Sequence, residues 1–276
     1  MTEKQNRSMI QRRLIPAYIF LAIVAFLSVF PFLWMVSAAT NTTQSVAAGR
    51  LLPGPEFFNN MNNLLSSYDL WRAMRNSFFY SIVQTVVALA ICSLAGFGFE
   101  LYNDKGKDRV FAVLLMAMLI PGVATMIPQF KLISQLGFLN SVIGFILPGI
   151  STPFLIMMFR NNSRNFPAAI MEAARLDGLS EFMIFVRMYF PIMKATYAAA
   201  AVITFMNSWN AYLWPRVVMT DNRAQTMPML IANMSSGYTT DYGMLMTGVL
   251  FCSIPTVIVF FILQKQFAEG ITGAVK

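Results

Sequence analysis

The chain has 276 residues, of which 57% are hydrophobic and only 12% are charged, and its mean hydropathy is +0.59. Since a soluble globular domain has about 25% charged residues, this composition excludes an ordinary soluble domain and indicates an integral membrane protein. The net charge of +8 does not indicate a nucleic-acid partner, because the lysines and arginines lie at the ends of apolar runs, where membrane topology explains them better.

Several kinds of chemistry are also excluded by residue type. The sequence has no histidine, which removes the usual metal ligand and the usual general base. The two cysteines, Cys92 and Cys252, lie inside apolar runs and are typical of small packing residues. Gly106-Lys107 lacks the upstream glycine and the following Ser or Thr of a phosphate-binding loop. We therefore predict no catalytic residue, no metal site and no cofactor held by this chain.

Six apolar runs are each long enough to cross about 30 Å of hydrocarbon as a helix of about 20 residues. They predict an all-α membrane protein with one transmembrane domain over residues 1–276. The predicted spans are 14–36, 77–100, 109–128, 139–159, 192–215 and 244–264.

The first apolar run has the alternative of a cleaved signal peptide. A basic segment precedes it, and Ser37-Ala38-Ala39 resembles a cleavage site. The apolar stretch from Leu14 to Val36 is, however, longer than the roughly 7–15 residues of the apolar region within a typical signal peptide. We predict a retained span.

The distribution of basic residues predicts the orientation. With the N-terminus inside, most lysines and arginines fall in the segment 1–13, in the turn after the second span, in the loop 160–191 and in the tail 265–276. Because cytoplasmic segments carry the excess of Lys and Arg, we expect both termini and the loop 160–191 to be cytoplasmic.

The second span and the outer segment before it contain further signals. Residues 37–76 are predicted to form a long polar loop, and Asn76 is predicted to cap the second span. Inside this span, Ala88, Cys92 and Gly96 form a stripe of small residues that favours close approach of another helix. Prolines at 121, 128, 148, 153, 215 and 255 predict kinks.

The loop 160–191 is polar but lies between two long apolar runs. Pro167 suits a helix start, Gly178 a helix end and Ser180 the cap of a second helix. In the second helix one apolar face is predicted from residues Phe182, Phe185, Val186 and Tyr189. The charges offered outward are Glu172, Arg175, Asp177 and Glu181. This helix–turn–helix is either a docking element for a partner or an amphipathic segment that lies on lipid headgroups.

The fifth span becomes polar and aromatic towards its outer end. Asn207 and Asn210 are three residues apart and are expected to share a helix face. Trp209, Tyr212 and Trp214 are typical of an aromatic belt at the membrane interface. The alternative is a wall that faces a sugar, in which amides bond hydroxyls and an indole stacks on the ring.

The loop 160–191 resembles the EAA loop of permeases of ATP-binding-cassette (ABC) importers. Glu172-Ala173-Ala174, Gly178 and Pro191 stand at the spacing of that motif, and apolar Met188 and Phe190 replace its Ile and Leu. Residues 209–215 resemble the Trp-Asn-x-(Phe/Tyr)-Leu-Trp-Pro signature of carbohydrate importer permeases. Further agreement with that family lies at 127–130, 136–140 and 270–276, and the resemblance covers roughly residues 70–276.

This resemblance implies a type I ABC importer permease in the bacterial inner membrane, with six spans and a cytoplasmic coupling helix–turn–helix. The chain would pair with a second, related permease, with two cytoplasmic ATPase subunits that hold ATP and Mg²⁺, and with an extracytoplasmic sugar-binding protein. The expected coupling residues are Glu172, Ala173, Ala174, Asp177 and Gly178, and the tail from Ile271 is a second expected ATPase contact. The expected substrate path contains Asn207, Trp209 and Asn210.

Other classes of transporter fit the sequence less well. An ion-coupled secondary transporter usually needs carboxylates or histidines inside the membrane, whereas the acids here lie in loops or at span ends, as Glu100 does. A permease of the same fold for another neutral solute stays open. So do the identity of the sugar and the question of whether this subunit or its partner permease holds the substrate.

Overall fold

The computed structural model describes the backbone of residues 3–102, 104–237 and 239–272, and the side chains of residues 15–102, 104–237 and 239–262. The described backbone contains no strand, which confirms the all-α prediction. The predicted tail contact, from Ile271 onwards, concerns side chains outside the described residues. The helices are α1 (Glu3–Ala39), α2 (Thr43–Ala47), α3 (Phe57–Ser67), α4 (Leu70–Leu101), α5 (Lys105–Ala117), α6 (Gly122–Gln135), α7 (Val142–Ile146), α8 (Pro153–Ser163), α9 (Ala168–Leu176), α10 (Glu181–Ile184), α11 (Phe190–Ile192), α12 (Lys194–Trp209), α13 (Leu213–Val218), α14 (Met227–Ser235) and α15 (Tyr242–Thr272).

Three stretches of helix are each long and apolar enough to cross a membrane alone: Ile15–Ala39, Leu70–Leu101 and Tyr242–Ile262. Three bent helix pairs meet the same criterion together, and there are up to six spans if each pair is counted as one. The pairs bend by 102° between α5 and α6, by 51° before α8, and by 82° between residues 181–192 and α12. The predicted spans 109–128, 139–159 and 192–215 are therefore not straight helices.

Two helix ends differ from their predictions. Helix α4 begins at Leu70, and its cap is Asp69, whose side chain accepts a hydrogen bond from Arg72 N at 3.1 Å. Asn76, the predicted cap, lies inside α4, and its amide donates to the carbonyl oxygens of Arg223 and Gln225. Helix α12 ends at Trp209, so the predicted fifth span is interrupted before it reaches residue 215.

The chain divides into two compact units. The first contains residues 1–68 and 233–251. At its centre the Asn60 amide donates to the carbonyl oxygens of Ala39 and Asn41, and Gly243 lies so close that a Cβ there would be 2.5 Å from Asn41 O. The predicted loop 37–76 is largely helical, since it contains α2 and α3. The buried Asn60 lies on α3 and holds the surrounding backbone together through its hydrogen bonds.

The second unit contains residues 69–232 and 252–276 and is built around α4. Helices α8 and α12 pack against α4. The predicted stripe of small residues lies at this contact: Ala88 and Cys92 are fully buried, and a Cβ on Gly96 would lie 2.5 Å from Phe159 Cβ. The close approach of helices predicted from this stripe is confirmed.

Candidate coupling loop and substrate cavity

The loop 160–191 forms the predicted helix–turn–helix. Helix α9 starts after Pro167 and ends at Leu176, and Gly178 has a positive φ of 76°. The Gly178 and Leu179 amides donate to the carbonyl oxygens of Arg175 and Ala174, each at 3.0 Å. A left-handed residue after the helix closes the last turn, and glycine adopts it at least cost. Ser180 caps α10 by accepting from Met183 N at 3.4 Å.

The buried face of the second helix differs from the predicted one. Phe185 and Tyr189 are buried as predicted, but Phe182 is 67% exposed and Val186 is 43% exposed, whereas Ile184 is fully buried. The reason is a π-helical turn over Phe185–Tyr189. A π turn is wider than an α turn, so residues on either side of it do not follow the i, i+3, i+4, i+7 pattern of a uniform α-helix.

The loop packs on the end of α4 through a buried aromatic cluster. Tyr189 is fully buried, and its ring meets that of Phe97 on α4 edge-on at 4.9 Å between centroids. The Tyr189 hydroxyl is 2.7 Å from Ser163 Oγ at the end of α8. Met171 and Ala174 of α9 belong to the same cluster. The loop is thus joined to two helices of the bundle, and a force on α9 acts directly on them.

The charges on the loop have two different roles. Arg175 Nε lies 2.9 Å from Glu181 Oε1, and the Tyr102 hydroxyl also hydrogen-bonds the Glu181 carboxylate. The Arg175 guanidinium sits 5.5 Å from the Tyr102 ring centroid. Glu172 and Asp177 are exposed and form no ion pair with the described residues. These two carboxylates are therefore the ones available to a partner.

The apolar residues of α9 show which side faces outward. Ala173 is exposed, whereas Ala174 is only 4% exposed and faces the loop's own core. Leu176 was not singled out from the sequence, yet 89% of its surface is exposed. With Phe182 it places two large apolar side chains on the surface of this turn. Such side chains favour a protein or membrane contact.

A buried ion network lies beside the loop, at the same end of α4. The Arg160 side chain is 7% exposed and bonds Glu100 at 3.0 Å and Asp108 at 2.6 Å. Its guanidinium lies 4.2 Å from the Phe111 ring centroid, and Arg164 also reaches Glu100 at 3.4 Å. Glu100 therefore neutralises arginines that tie α4, α5 and α8 together.

Asn207 and Asn210 line one cavity of about 630 Å³, and Trp209 does not. Trp209 is 1% exposed, stacks on Phe205, and donates from Nε1 to Cys252 O at 3.0 Å. It belongs neither to an interfacial belt nor to the wall of this cavity. The other lining residues are Gln84, Gly122, Val123, Met126, Gln129, Phe145, Pro148, Gly149, Ser208, Ala211, Tyr212, Leu213 and Trp214.

One polar residue of this cavity, Gln84, was not singled out from the sequence, and Trp214 was placed only as one of two alternatives. Gln84 of α4 accepts a hydrogen bond from Ser208 Oγ to its Oε1 at 2.9 Å. A glutamine in an otherwise apolar span was the available signal, because such a side chain needs a polar partner. Trp214, the third proposed belt residue, turns inward and donates from Nε1 to Gly144 O and Phe145 O at 3.1 Å each.

Comparisons with known proteins agree on one family. Residues 93–273 match the family model described as "binding-protein-dependent transport system inner membrane component". The chain is 41% identical to a lactose transport system permease protein of Rhizobium radiobacter over 97% of this chain and 98% of the relative. It is 33% identical to an arabinooligosaccharides transport system permease protein of Halalkalibacterium halodurans, over 92% and 94% of the two chains. A crystal structure of a bacterial ABC transporter that imports the acidic polysaccharide alginate superimposes with a TM-score of 0.81, at 21% identity, over 96% and 98% of the chains.

Proposed function

We propose that this chain, which belongs to the family of binding-protein-dependent transport system inner membrane components, is the permease subunit of an ATP-driven importer for a sugar or oligosaccharide. The observation that carries this proposal is the cavity. Its lining residues include amides, a serine, a tyrosine and a tryptophan, and none of them is Asp, Glu, Lys or Arg. Such a lining suits a neutral molecule with many hydroxyl groups.

The energy source in this proposal is a pair of cytoplasmic ATPase subunits, which hold ATP and Mg²⁺. The support is the geometry of the loop 160–191. Glu172, Ala173 and Asp177 are exposed on it, and Leu176 adds an apolar contact. The loop's other face is fixed to α4 and α8 by the cluster around Tyr189. A partner that moves the loop therefore moves the helices that pack on α4.

The assembly in this proposal has four kinds of subunit: this chain, a second related permease, two ATPases and an extracytoplasmic sugar-binding protein. The importer lies in the bacterial inner membrane with both termini of this chain in the cytoplasm, as the distribution of basic residues favours. ATP binding and hydrolysis favour different states of the docked loops, so the bundle alternates between inward- and outward-facing forms. Asn207 and Asn210 contact substrate along the path.

Uptake by the reconstituted importer tests this function. The chain is co-expressed with its partner subunits, reconstituted in proteoliposomes with ATP inside, and supplied with binding protein and radiolabelled lactose or arabino-oligosaccharides. We expect uptake of a sugar that requires ATP and continues in the presence of an uncoupler. Uptake that persists without ATP and collapses with the uncoupler indicates a secondary transporter. ATP-dependent uptake of another neutral solute, with none of the sugars, replaces the sugar assignment.

A further inference from the structure

The cavity lies where three interruptions of the helices meet. The break between α5 and α6 ends at Pro121 beside Gly122, the break before α8 begins after Gly149, and α12 ends before Asn210. Backbone groups at such breaks lose their helical partners, which is tolerated at membrane depth only inside protein or beside a water-filled cavity. Breaks in membrane helices that converge on one cavity are also where transporters place their substrates.

Gln84 enters this cavity from α4, which runs without a break from Leu70 to Leu101. Its Oε1 is engaged by Ser208 on α12 at 2.9 Å. None of the hydrogen bonds found among the described residues uses its Nε2 group. That group lies against Gly149, where an added Cβ would overlap Nε2. The carboxamide is thus held in place by a hydroxyl on one side and a glycine on the other, with its two N–H donors unused.

The Ser208 contact uses only the carbonyl oxygen of the Gln84 side chain. Among the described residues the buried side-chain polar atoms without a partner are Ser81 Oγ and Thr226 Oγ1, so the Gln84 amide donors are not enclosed but open onto the cavity. They are therefore available to acceptor oxygens of a molecule in the cavity. Asn207 and Asn210 add exposed amides to the same cavity, and Tyr212 and Trp214 add aromatic surface.

We propose that Gln84 is a substrate-contacting residue that sets specificity, and that it forms with Asn207 and Asn210 a subsite for an uncharged, hydroxyl-bearing ligand. The Nε2 group donates to a hydroxyl or ring oxygen of the ligand while Oε1 stays bonded to Ser208. No cationic side chain lines the cavity to pair with a carboxylate, so an acidic saccharide is disfavoured there. This inference rests on the proposed sugar importer and adds that this subunit itself contacts the sugar.

Three variants of the complete importer test the subsite, with lactose and arabinotriose as neutral probes and an alginate trisaccharide as the acidic probe. Gln84→Met keeps the length of the side chain and removes its amide. Gly149→Ala keeps Gln84 but displaces its Nε2 group, because the new methyl occupies that position. Gly98→Ala is the matched control, since Gly98 is also on α4 and a Cβ there meets nothing within 4 Å.

We expect the first two variants to raise the KM for the transported neutral sugar about tenfold, which corresponds to the loss of one or two hydrogen bonds. The kcat should stay within about twofold, and the control should match the wild type. We expect no transport of the acidic probe by the wild type.

The proposal is overturned if the wild type transports a sugar but both variants keep its KM. It is also overturned if they lower only kcat or the amount of assembled importer, as a structural role predicts, or if the acidic probe is transported as well as a neutral one. A wild type that transports none of the three probes but takes up another neutral solute with ATP refutes the sugar importer itself.

Discussion

Asn207 and Asn210 reach the cavity from different backbone environments. Asn207 lies in the last turn of α12, and Asn210 follows the helix as its C-terminal cap, with its side-chain amide donating to Met206 O at 2.9 Å. Trp209, between them, points to the opposite side and is fully packed. The three residues of the proposed path therefore differ in their access to water.

Cysteine labelling measures this difference. In a background that lacks Cys92 and Cys252, cysteine at 207 or 210 should react with a membrane-impermeant thiol reagent, at a rate that changes with sugar or nucleotide. Cysteine at 209 should react at least about tenfold more slowly, because its position is closed to water in this structure. Inert cysteines at both 207 and 210 in every state would place the substrate wall in the partner permease.

Arg160 carries a buried positive charge that two carboxylates neutralise. Arg160→Met keeps much of the packing on Phe111 but leaves Glu100, whose side chain is 18% exposed, without its nearest partner. We expect a loss of about 2 kcal/mol of stability. This is below the usual 3–5 kcal/mol for a broken buried pair, because Arg164 still reaches Glu100 and Asp108 is half exposed.

Thermal unfolding of the purified importer in detergent checks this expectation. The matched control is Arg164→Met, whose side chain is 61% exposed and which should change stability by less than about 0.5 kcal/mol. Equal losses of stability in the two variants would show that the burial of Arg160 does not contribute to the stability of the protein.

At the scale of whole elements, the turn between α9 and α10 in the loop 160–191 depends on the backbone conformation of one residue. Gly178 has φ +76° and a Cβ would meet no atom within 4 Å, so a side chain there is opposed by backbone strain and not by a clash. Gly178→Val should cost about 1–2 kcal/mol locally. We expect the ATPase subunits to co-purify less well while the two permeases stay together.

Gly178→Asn is the control for this experiment, because asparagine tolerates the left-handed conformation. It should retain the ATPase subunits, whereas Glu172→Lys should lose them through charge reversal at an exposed position. Unchanged ATPase retention and transport in both Gly178→Val and Glu172→Lys would remove the loop from the ATPase interface.

The helix breaks mark the limit of what the sequence predicts. Apolar length locates the helices well, and turn residues such as Gly178 and Ser180 locate the coupling loop almost to the residue. Apolar composition is, however, the same on both sides of Pro121, so it cannot distinguish a kink from a bend of 102°. The π turn after Ile184 leaves no simple signal either, which is why Phe182 was placed on the wrong face.

The candidate site was predicted only in part for a related reason. Asn207 and Asn210 were visible as polar residues near a span end, and the structure brings both to one cavity. Gln84 is far from them in the sequence, and only the packing of α4 against α12 shows that it contacts Ser208. The sequence did not predict that Trp209 is buried, because its indole bonds to a carbonyl of α15, which is distant in the sequence.

At the scale of the whole molecule, the proposed importer separates transport from ATP hydrolysis. The sequence holds no glycine-rich phosphate-binding loop. We expect the purified chain, free of its partners, to bind no nucleotide and to show no ATP hydrolysis above a buffer control. Hydrolysis that follows this chain through purification, and that is absent from a mock preparation, would contradict the division of labour between subunits.

The uninterrupted helix α4 makes a mechanical connection between the two candidate sites. Phe97 contacts the coupling loop near one end of α4, and Gln84 contacts the cavity 13 residues away, which is about 20 Å along a helix. Between them, Gly96 and Cys92 hold α4 tightly against α8 and its flanking residues. A helix that runs without a break is a rigid element of the kind that can couple distant sites. In the proposed importer we therefore expect a displacement of the loop at Phe97 to reach Gln84 along α4, with no flexible joint between them to absorb it.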